Sequence, residues 1–273
     1  MKESLDWQSK DVVNIYDEVN LWSAPFGRLL LENIPVKRES KVMDIGFGTG
    51  FPLIELSQRF GKGSKIYGMD IWEEAIKRAK EKIRVLGISN IEIFEQSAEF
   101  IPLPDNDLDL ICSNLGINNF ENKDAVYFEC HRVLKRNGSL CISTNPIGTF
   151  NELFDKFSDV IDEMRLDRSV SELKDHIDHR GTERSIISEI EITGFRLSKK
   201  VYDETGIRFA EPEAVFDHGL IRTGFLEGWK KMIPPDSQKE FFMLLLNKIE
   251  NEINRNGEFM ISVPVLYMEF RKV

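Results

Sequence analysis

Short apolar runs alternate with amphipathic segments along the chain from residue 41 onward. In the segment 73–86, apolar residues recur every three or four positions and therefore share one face of a helix. Strands that alternate with helices of this length are typical of a parallel sheet covered by helices on both faces. The pattern predicts five parallel strands, at 41–45, 65–69, 91–94, 108–113 and 140–144, and helices at 51–60, 73–86 and 124–134.

The alternation is weaker after residue 145. There the pattern predicts helices at 150–164 and 186–193 with a charged connector at 175–184 between them. Two last strands are predicted at 195–202 and 259–270. The stretch between the last strands, 206–257, is helical in character and far longer than a hairpin loop of about two to five residues. We interpret it as an inserted helical cap. A helical layer that only shields the sheet edge remains the alternative.

Composition and charge narrow the classes of function. The 273 residues are 41% hydrophobic, which excludes wholesale disorder, and 46 acidic against 36 basic side chains give a net charge of −10, which disfavours nucleic-acid binding. The chain opens without an apolar signal core, and its longest apolar-rich stretch is too short to span a bilayer. Three cysteines outside any metal-ligand spacing indicate a reducing compartment. We therefore expect a cytoplasmic monomer or homodimer that acts on a small molecule, with no membrane partner and no metal.

The most informative motif is the glycine-rich run 44–50, Asp-Ile-Gly-Phe-Gly-Thr-Gly, where the first strand turns into a helix. Gly46 and Gly48 lack Cβ atoms at the point where a ligand must approach the backbone. A dinucleotide-binding fingerprint requires a glycine where this chain has Phe51, so pyrophosphate binding is disfavoured. Because Asp44 would repel a pyrophosphate, it favours a ligand with a cationic part, such as a zwitterionic amino acid.

Two further positions point to a nucleoside. Asp70, at the end of the second predicted strand, can accept hydrogen bonds from both hydroxyls of a ribose. Next to it, Ile71 offers apolar surface for a flat base, and Ser97 and Ala98 after the third strand can address the edge of that base. The ligand indicated is an amino acid joined to a nucleoside.

Four motifs in order, at 44–50, Asp70, 97–111 and 129–138, resemble those of class I S-adenosylmethionine-dependent methyltransferases, nearest to the ubiquinone/menaquinone-biosynthesis-like small-molecule group. The resemblance is specific from about residue 40 to 145. It implies S-adenosyl-L-methionine as cofactor, with its methionine part at Asp44 and the glycine loop, its ribose at Asp70 and its adenine near Ile71. The residues that would contact it are Asp44, Gly46, Gly48, Gly50, Asp70, Ile71, Ser97 and Ala98.

Transfer of a sulfonium methyl group requires alignment, exclusion of water and, for a protonated acceptor, a base, but no covalent nucleophile. In the loop after the fourth strand we expect Asn114 to face the cofactor and Asn118 to orient the acceptor, unless Asn118 only forms a turn. His218 in the cap is a candidate base because its ordinary pKa is about 6.5; a surface or capping role is the alternative. Similar enzymes fold an N-terminal segment over the cofactor, which gives that role to Tyr16 and Trp22, or else these side chains anchor a helix.

The predicted fold is therefore α/β, a doubly wound Rossmann-like sheet of seven strands, five parallel plus a C-terminal pair whose last strand is antiparallel. Residues 1–40 would form an N-terminal helical segment over the cofactor, 41–205 and 258–273 the methyltransferase domain, and 206–257 the cap. The predicted function is transfer of a methyl group to a small, partly apolar molecule by in-line displacement. The alternative is a non-catalytic S-adenosylmethionine-binding protein or partner subunit with the same fold.

Overall fold

Apolar side chains fill both faces of the central strands, as in sheets covered by helices on both sides. The structure is a computed structural model that describes residues 9–11, 13–14 and 20–273. Its strands are β1 Lys41–Ile45, β2 Lys65–Asp70, β3 Ile91–Glu95, β4 Leu108–Asn114, β5 Leu134–Thr144, β6 Phe195–Phe209 and β7 Phe259–Lys272. These form one sheet in the order β3-β2-β1-β4-β5-β7-β6, with β1 to β5 parallel and β7 antiparallel to β5. The predicted fold class is confirmed.

Helices follow most of the strands. In chain order they are α1 Asn20–Asn33, α2 Leu53–Phe60, α3 Glu73–Val85, α4 Lys123–Val133, α5 Asn151–Glu163, α6 Asp167–Asp178, α7 Glu183–Glu191, α8 Pro212–Asp217, α9 Gly219–Gly224, α10 Leu226–Lys231 and α11 Gln238–Asn256, with 3₁₀ turns at Gly116–Asn119 and Pro235–Ser237. Helices α8 to α11 lie in sequence between β6 and β7, as the pattern predicts. Within the described residues, no helix combines the length and apolar character needed to cross a membrane.

The chain divides into two compact units. The sheet unit contains the described residues as far as Thr144 together with Glu183–Asp203 and Val265–Val273, and the helical unit contains Asn145–Thr182 and Glu204–Pro264. The core of the helical unit is aromatic: the fully buried Trp229 contacts the rings of Phe150, Phe154, Phe157 and Phe225. The predicted cap, 206–257, begins inside β6, which continues to Phe209.

Two elements differ from the sequence pattern. The prediction of a charged connector at 175–184 is wrong for residues 175–178, because α6 continues to Asp178 with Ser169 and Leu173 buried on one face. Strand β5 begins six residues before the predicted start, since Leu134 pairs with Leu108 of β4 and the pairing resumes at Ser139 after an irregular register; the polar residues between them lack an apolar pattern.

Candidate functional site

The carboxyl ends of three adjacent strands, β2, β1 and β4, carry the polar residues singled out from the sequence. Asp44 on β1 lies opposite Gly68 on β2 and Cys112 on β4, and Asp70 and Asn114 are the last residues of those two neighbours. Ligands of open α/β sheets bind at this edge, where strand ends face a crevice. The sheet topology therefore brings Asp44, Asp70 and Asn114 to one edge.

The glycine loop after β1 is held close to β2. The backbone N–H of Gly46 donates to the Met69 carbonyl at 2.8 Å, and Gly46, Gly48 and Gly50 all have positive φ, which disfavours any residue with a Cβ. A Cβ on Gly46 would lie 3.1 Å from the Cα of Gly116, whereas one on Gly48 would meet nothing within 4 Å. The space over Gly48 is thus open to a ligand.

Asp70 is fixed by three backbone donors. Its Oδ2 accepts from the N–H of Gly48 at 2.7 Å, and its Oδ1 accepts from the N–H groups of Ile71 and Trp72 at 2.7 and 2.9 Å. Each carboxylate oxygen has two lone pairs, so Oδ2 keeps acceptor capacity for a further donor. Beside it, the Ile71 side chain is 74% exposed and presents a free apolar surface.

Asp44 has the opposite environment. It is fully buried, and neither of its carboxylate oxygens has a hydrogen-bond partner among the described residues. Burial raises the pKa of Asp44 well above its ordinary value, the negative charge of Asp70 raises it further, and the Leu53 amide opposes both without reaching hydrogen-bond geometry. A buried carboxylate without a partner is costly, and a cationic ligand group would supply one. The unpartnered carboxylate of Asp44 therefore fits a cofactor that carries an amino group.

The loop after β3 presents Ser97 and Ala98 differently. Ser97 is exposed and its hydroxyl accepts from the Glu99 N–H at 3.3 Å, while Ala98 is buried.

The same loop is connected to α4 by Arg132 and Glu129, a clamp that sequence reasoning missed. Arg132 and Glu129 bind each other through two hydrogen bonds of 2.7 and 2.8 Å, and both also bind backbone groups of Ile101.

Asn114 at the end of β4 and Asn118 after it both form hydrogen bonds with protein groups. The Asn114 side chain donates to the Ser23 carbonyl at 3.3 Å and accepts from the Ser143 hydroxyl at 2.7 Å. Asn118 lies in a 3₁₀ turn and accepts from the Thr144 hydroxyl at 2.6 Å. Asn114 therefore connects α1 to the end of β4, a role that the sequence did not indicate.

The N-terminal helix packs against Phe51, the residue that follows the glycine loop. A Cβ on Gly27 of α1 would lie only 2.1 Å from Cε1 of Phe51, so the Phe51 ring occupies the space that glycine leaves. Trp22 lies in the first turn of this helix and packs against Phe26, with 5.6 Å between ring centroids. Tyr16 lies outside the described residues.

A cation that sequence reasoning did not single out also contacts the loop. Lys82 on α3 donates to the Thr49 carbonyl, with 2.9 Å between Nζ and O. Its position one turn past the buried Ala79 was the available signal, because residues three apart lie on the same face of a helix and Ala79 is on the buried face of α3.

His218 belongs to the helical unit, between α8 and α9. Its Nδ1 is buried without a hydrogen-bond partner among the described residues, and its ring meets the Phe209 ring edge to face at 5.8 Å. Burial lowers the pKa of His218 below its ordinary value. The imidazole is therefore neutral at pH 7 and can accept a proton.

Comparisons with known proteins agree with this geometry. A family model described as a methyltransferase domain matches residues 36–194, which is more than half of the chain. The ubiquinone/menaquinone biosynthesis C-methyltransferase of Escherichia coli O1:K1 is 33% identical over 135 residues, 48% of this chain and 54% of that protein. The chain thus spans about half the length of the curated relatives it matches.

Solved structures share the fold. A putative methyltransferase of Bacillus halodurans has a TM-score of 0.58 at 19% identity and covers 90% of this chain and 98% of its own. A SAM dependent methyltransferase of Aquifex aeolicus has a TM-score of 0.51 at 24% identity, with 64% and 82% covered. The chain therefore belongs to the methyltransferase-domain family, in its class I, S-adenosylmethionine-dependent form.

Proposed function

We propose that this chain transfers a methyl group from S-adenosyl-L-methionine to a small, partly apolar acceptor. The observation that carries the proposal is the buried Asp44 carboxylate, which has no hydrogen-bond partner in the part of the chain that the structure describes and lies beside a glycine loop that Asp70 fixes. The Escherichia coli relative, a C-methyltransferase of quinone biosynthesis by name, supports an acceptor of this class.

Different residues of the sheet unit would bind different parts of the cofactor. Asp44 and the backbone of Gly46, Gly48 and Gly50 would hold its methionine part, and the spare acceptor capacity of Asp70 would serve the ribose. Ile71, Ser97 and Ala98 would surround the adenine. Trp22 and Tyr16 would cover the bound cofactor from the N-terminal segment, with Asn114 as the connection between that segment and β4.

When bound, the cofactor would supply a methyl group activated on a sulfonium, for in-line displacement by a nucleophilic atom of the acceptor that leaves S-adenosylhomocysteine. The protein then has to align the acceptor, exclude water and, where needed, hold a proton. We assign the orienting role to Asn118. We assign the base to His218, since burial keeps its imidazole neutral and its Nδ1 has no partner within the described residues.

Titration calorimetry with S-adenosylmethionine tests the cofactor site. Asp70→Asn should weaken binding by about tenfold or more, because a charged acceptor is lost. Glu92→Gln is the matched control, because Glu92 pairs with Lys65 at the opposite, amino end of neighbouring strands. This variant should bind S-adenosylmethionine as tightly as the wild type does. Equal binding by Asp70→Asn and the control would remove Asp70 from the site.

A transfer assay tests catalysis separately. The protein is incubated with cofactor labelled in the methyl group and with fractions of a metabolite extract, and labelled small molecules are the expected product. His218→Gln should lower the transfer rate and leave cofactor affinity unchanged. Cofactor that stays bound and unreacted across all fractions would instead support the non-catalytic binding protein.

A further inference from the structure

Strand β6 forms one edge of the sheet, because β7 is its one neighbour in the strand order of the described residues. An edge strand presents backbone N–H and C=O groups to which a further strand can add. Residues 198–203 of β6 belong to the sheet unit, and we call them the edge segment. The edge segment is therefore a place where another chain could extend the sheet.

The direction of the backbone groups shows which residues of β6 could pair. The Leu197 N–H donates to the carboxylate of Glu191 at 3.1 Å, so it points away from β7. Peptide groups alternate in direction along a strand, so those of Lys199, Val201 and Asp203 point to the same open side. Glu191 thus closes the edge at Leu197, and the edge segment begins directly after it.

The side chains of the edge segment are accessible to a partner. Lys199 and Lys200 are exposed, and the Tyr202 side chain is 55% exposed. Asp203 pairs with Arg28 of α1 and still exposes 41% of its side chain. A carboxylate accepts from more than one cation, so this ion pair leaves Asp203 able to bind a second one.

The charges of the edge segment run from basic to acidic, Lys199-Lys200-Val201-Tyr202-Asp203. Two antiparallel copies related by a two-fold axis at Val201 would set Lys199 of each copy opposite Asp203 of the other. The same axis would set Lys200 opposite Tyr202, and Val201 opposite itself. Opposite charges, a cation beside an aromatic ring and β-branched side chains are all favourable across neighbouring strands. The edge segment is thus complementary to itself.

The neighbouring registers are less favourable. An axis at Lys200 would set two lysines against each other, and lysines on an edge strand ordinarily oppose pairing. An axis at Tyr202 would pair Lys200 with Glu204 but set the carboxylate of Asp203 opposite the apolar Val201. Charge complementarity therefore favours the register centred on Val201.

We propose that this chain forms a homodimer in which the edge segments of two copies pair antiparallel about a two-fold axis at Val201. The partner is a second copy because the basic and acidic ends of one segment match those of another. Each copy carries a net charge of −10, which opposes association by general attraction and leaves the local pairs to hold the dimer. A contact of this length is small, so we expect a dissociation constant of about 10–100 µM.

Sedimentation equilibrium of the full chain, from about 5 to about 500 µM, tests the proposal. The wild type should pass from monomer to dimer over this range. Lys199→Asp should raise the dissociation constant by about tenfold or more, because two like-charge pairs replace two opposite-charge pairs. Lys62→Asp is the matched control: Lys62 is exposed in the turn before β2, near the other edge of the sheet, and this variant should dimerise like the wild type.

Two further variants test the register and the backbone pairing. Lys199→Asp combined with Asp203→Lys should restore dimerisation, since the opposed charges are exchanged. Val201→Pro removes an N–H that points away from β7, so it should stay folded, with an unfolding temperature close to that of the wild type, and remain a monomer. Thermal unfolding of every variant shows that it is folded.

Three results would overturn the proposal. The first is a wild type that stays monomeric throughout the concentration range. The second is a Lys199→Asp or a folded Val201→Pro variant that dimerises as tightly as the wild type. The third is a folded charge-exchange variant that does not regain dimerisation, because residues 199 and 203 would then not be opposed.

Discussion

The Lys82 ammonium donates a hydrogen bond to the carbonyl oxygen of Thr49, so a cation on α3 stabilises the conformation of the glycine loop. Lys82→Met should weaken S-adenosylmethionine binding by roughly threefold to tenfold, because up to about 1.4 kcal/mol of loop ordering shifts to the binding step. Calorimetry measures the effect. Lys80→Met on the same helix removes only an exposed pair with Glu95 and should bind like the wild type. Equal affinities of both variants would contradict a positioning role.

Asp44 should limit stability in exchange for ligand binding. Asp44→Asn removes a buried charge that has no partner within the described residues, and we expect the free energy of unfolding to rise by about 1–3 kcal/mol while cofactor affinity falls by at least about tenfold. Urea unfolding and calorimetry check the two effects. Asp109→Asn is the control: it should lower the free energy of unfolding and leave cofactor affinity unchanged, since Asp109 accepts from the Lys41 N–H and from Lys135 at 2.9 and 2.8 Å far from the loop.

The raised pKa of Asp44 gives stability a definite pH dependence. Between the unfolded and the folded pKa the folded state binds more protons, so this carboxyl makes the free protein less stable as pH rises through that window. Cofactor affinity should rise over the same window, because the ionised form attracts the cationic ligand group. Unfolding and binding measured from pH 4 to 8 should show both trends in the wild type, and neither in Asp44→Asn. Parallel pH curves for the two proteins would contradict the assignment.

Because Gly27 contacts Phe51, we expect the effect of Gly27→Ala on the free energy of unfolding to change sign when Phe51 is also replaced. Gly27→Ala alone should destabilise by about 1–3 kcal/mol and lower cofactor affinity, because the new Cβ collides with the Phe51 ring. In a Phe51→Ala background the same change should stabilise by up to about 1 kcal/mol, since alanine is the better helix former. Urea unfolding of the four proteins measures the coupling. Additive effects would show that α1 and the loop do not share this contact.

The clamp between Arg132 and Glu129 should depend on the fork of the guanidinium. Arg132→Lys should cost nearly as much unfolding free energy as Arg132→Met, about 2 kcal/mol, because lysine cannot bind Glu129 and the carbonyls of Ile101 and Leu103 together. Urea unfolding measures both variants. Full rescue by lysine would mean that charge alone holds the loop.

The order of strands and the glycine loop could be predicted from the sequence because both are encoded locally. Apolar runs and glycines at 46, 48 and 50 are contiguous, and the carboxyl ends of parallel strands always meet at one edge. Strand β5 was predicted too short, and the end of α6 was predicted as a charged connector, because polar residues fill exposed positions in both. Residues that pair across long separations carry no such local signal.

By itself, the sequence determined the seven-stranded α/β class and the placement of Asp44 and Asp70 at the ends of neighbouring strands, since strand periodicity and turn chemistry act over a few residues. Only the tertiary structure decided that Asp70 receives three backbone donors while Asp44 receives none from the described part of the chain, that the Phe51 ring packs against Gly27, and that Lys82 donates a hydrogen bond to Thr49. Solvation and hydrogen bonding of a side chain depend on whatever distant segments pack around it, and that packing is fixed when the whole chain folds.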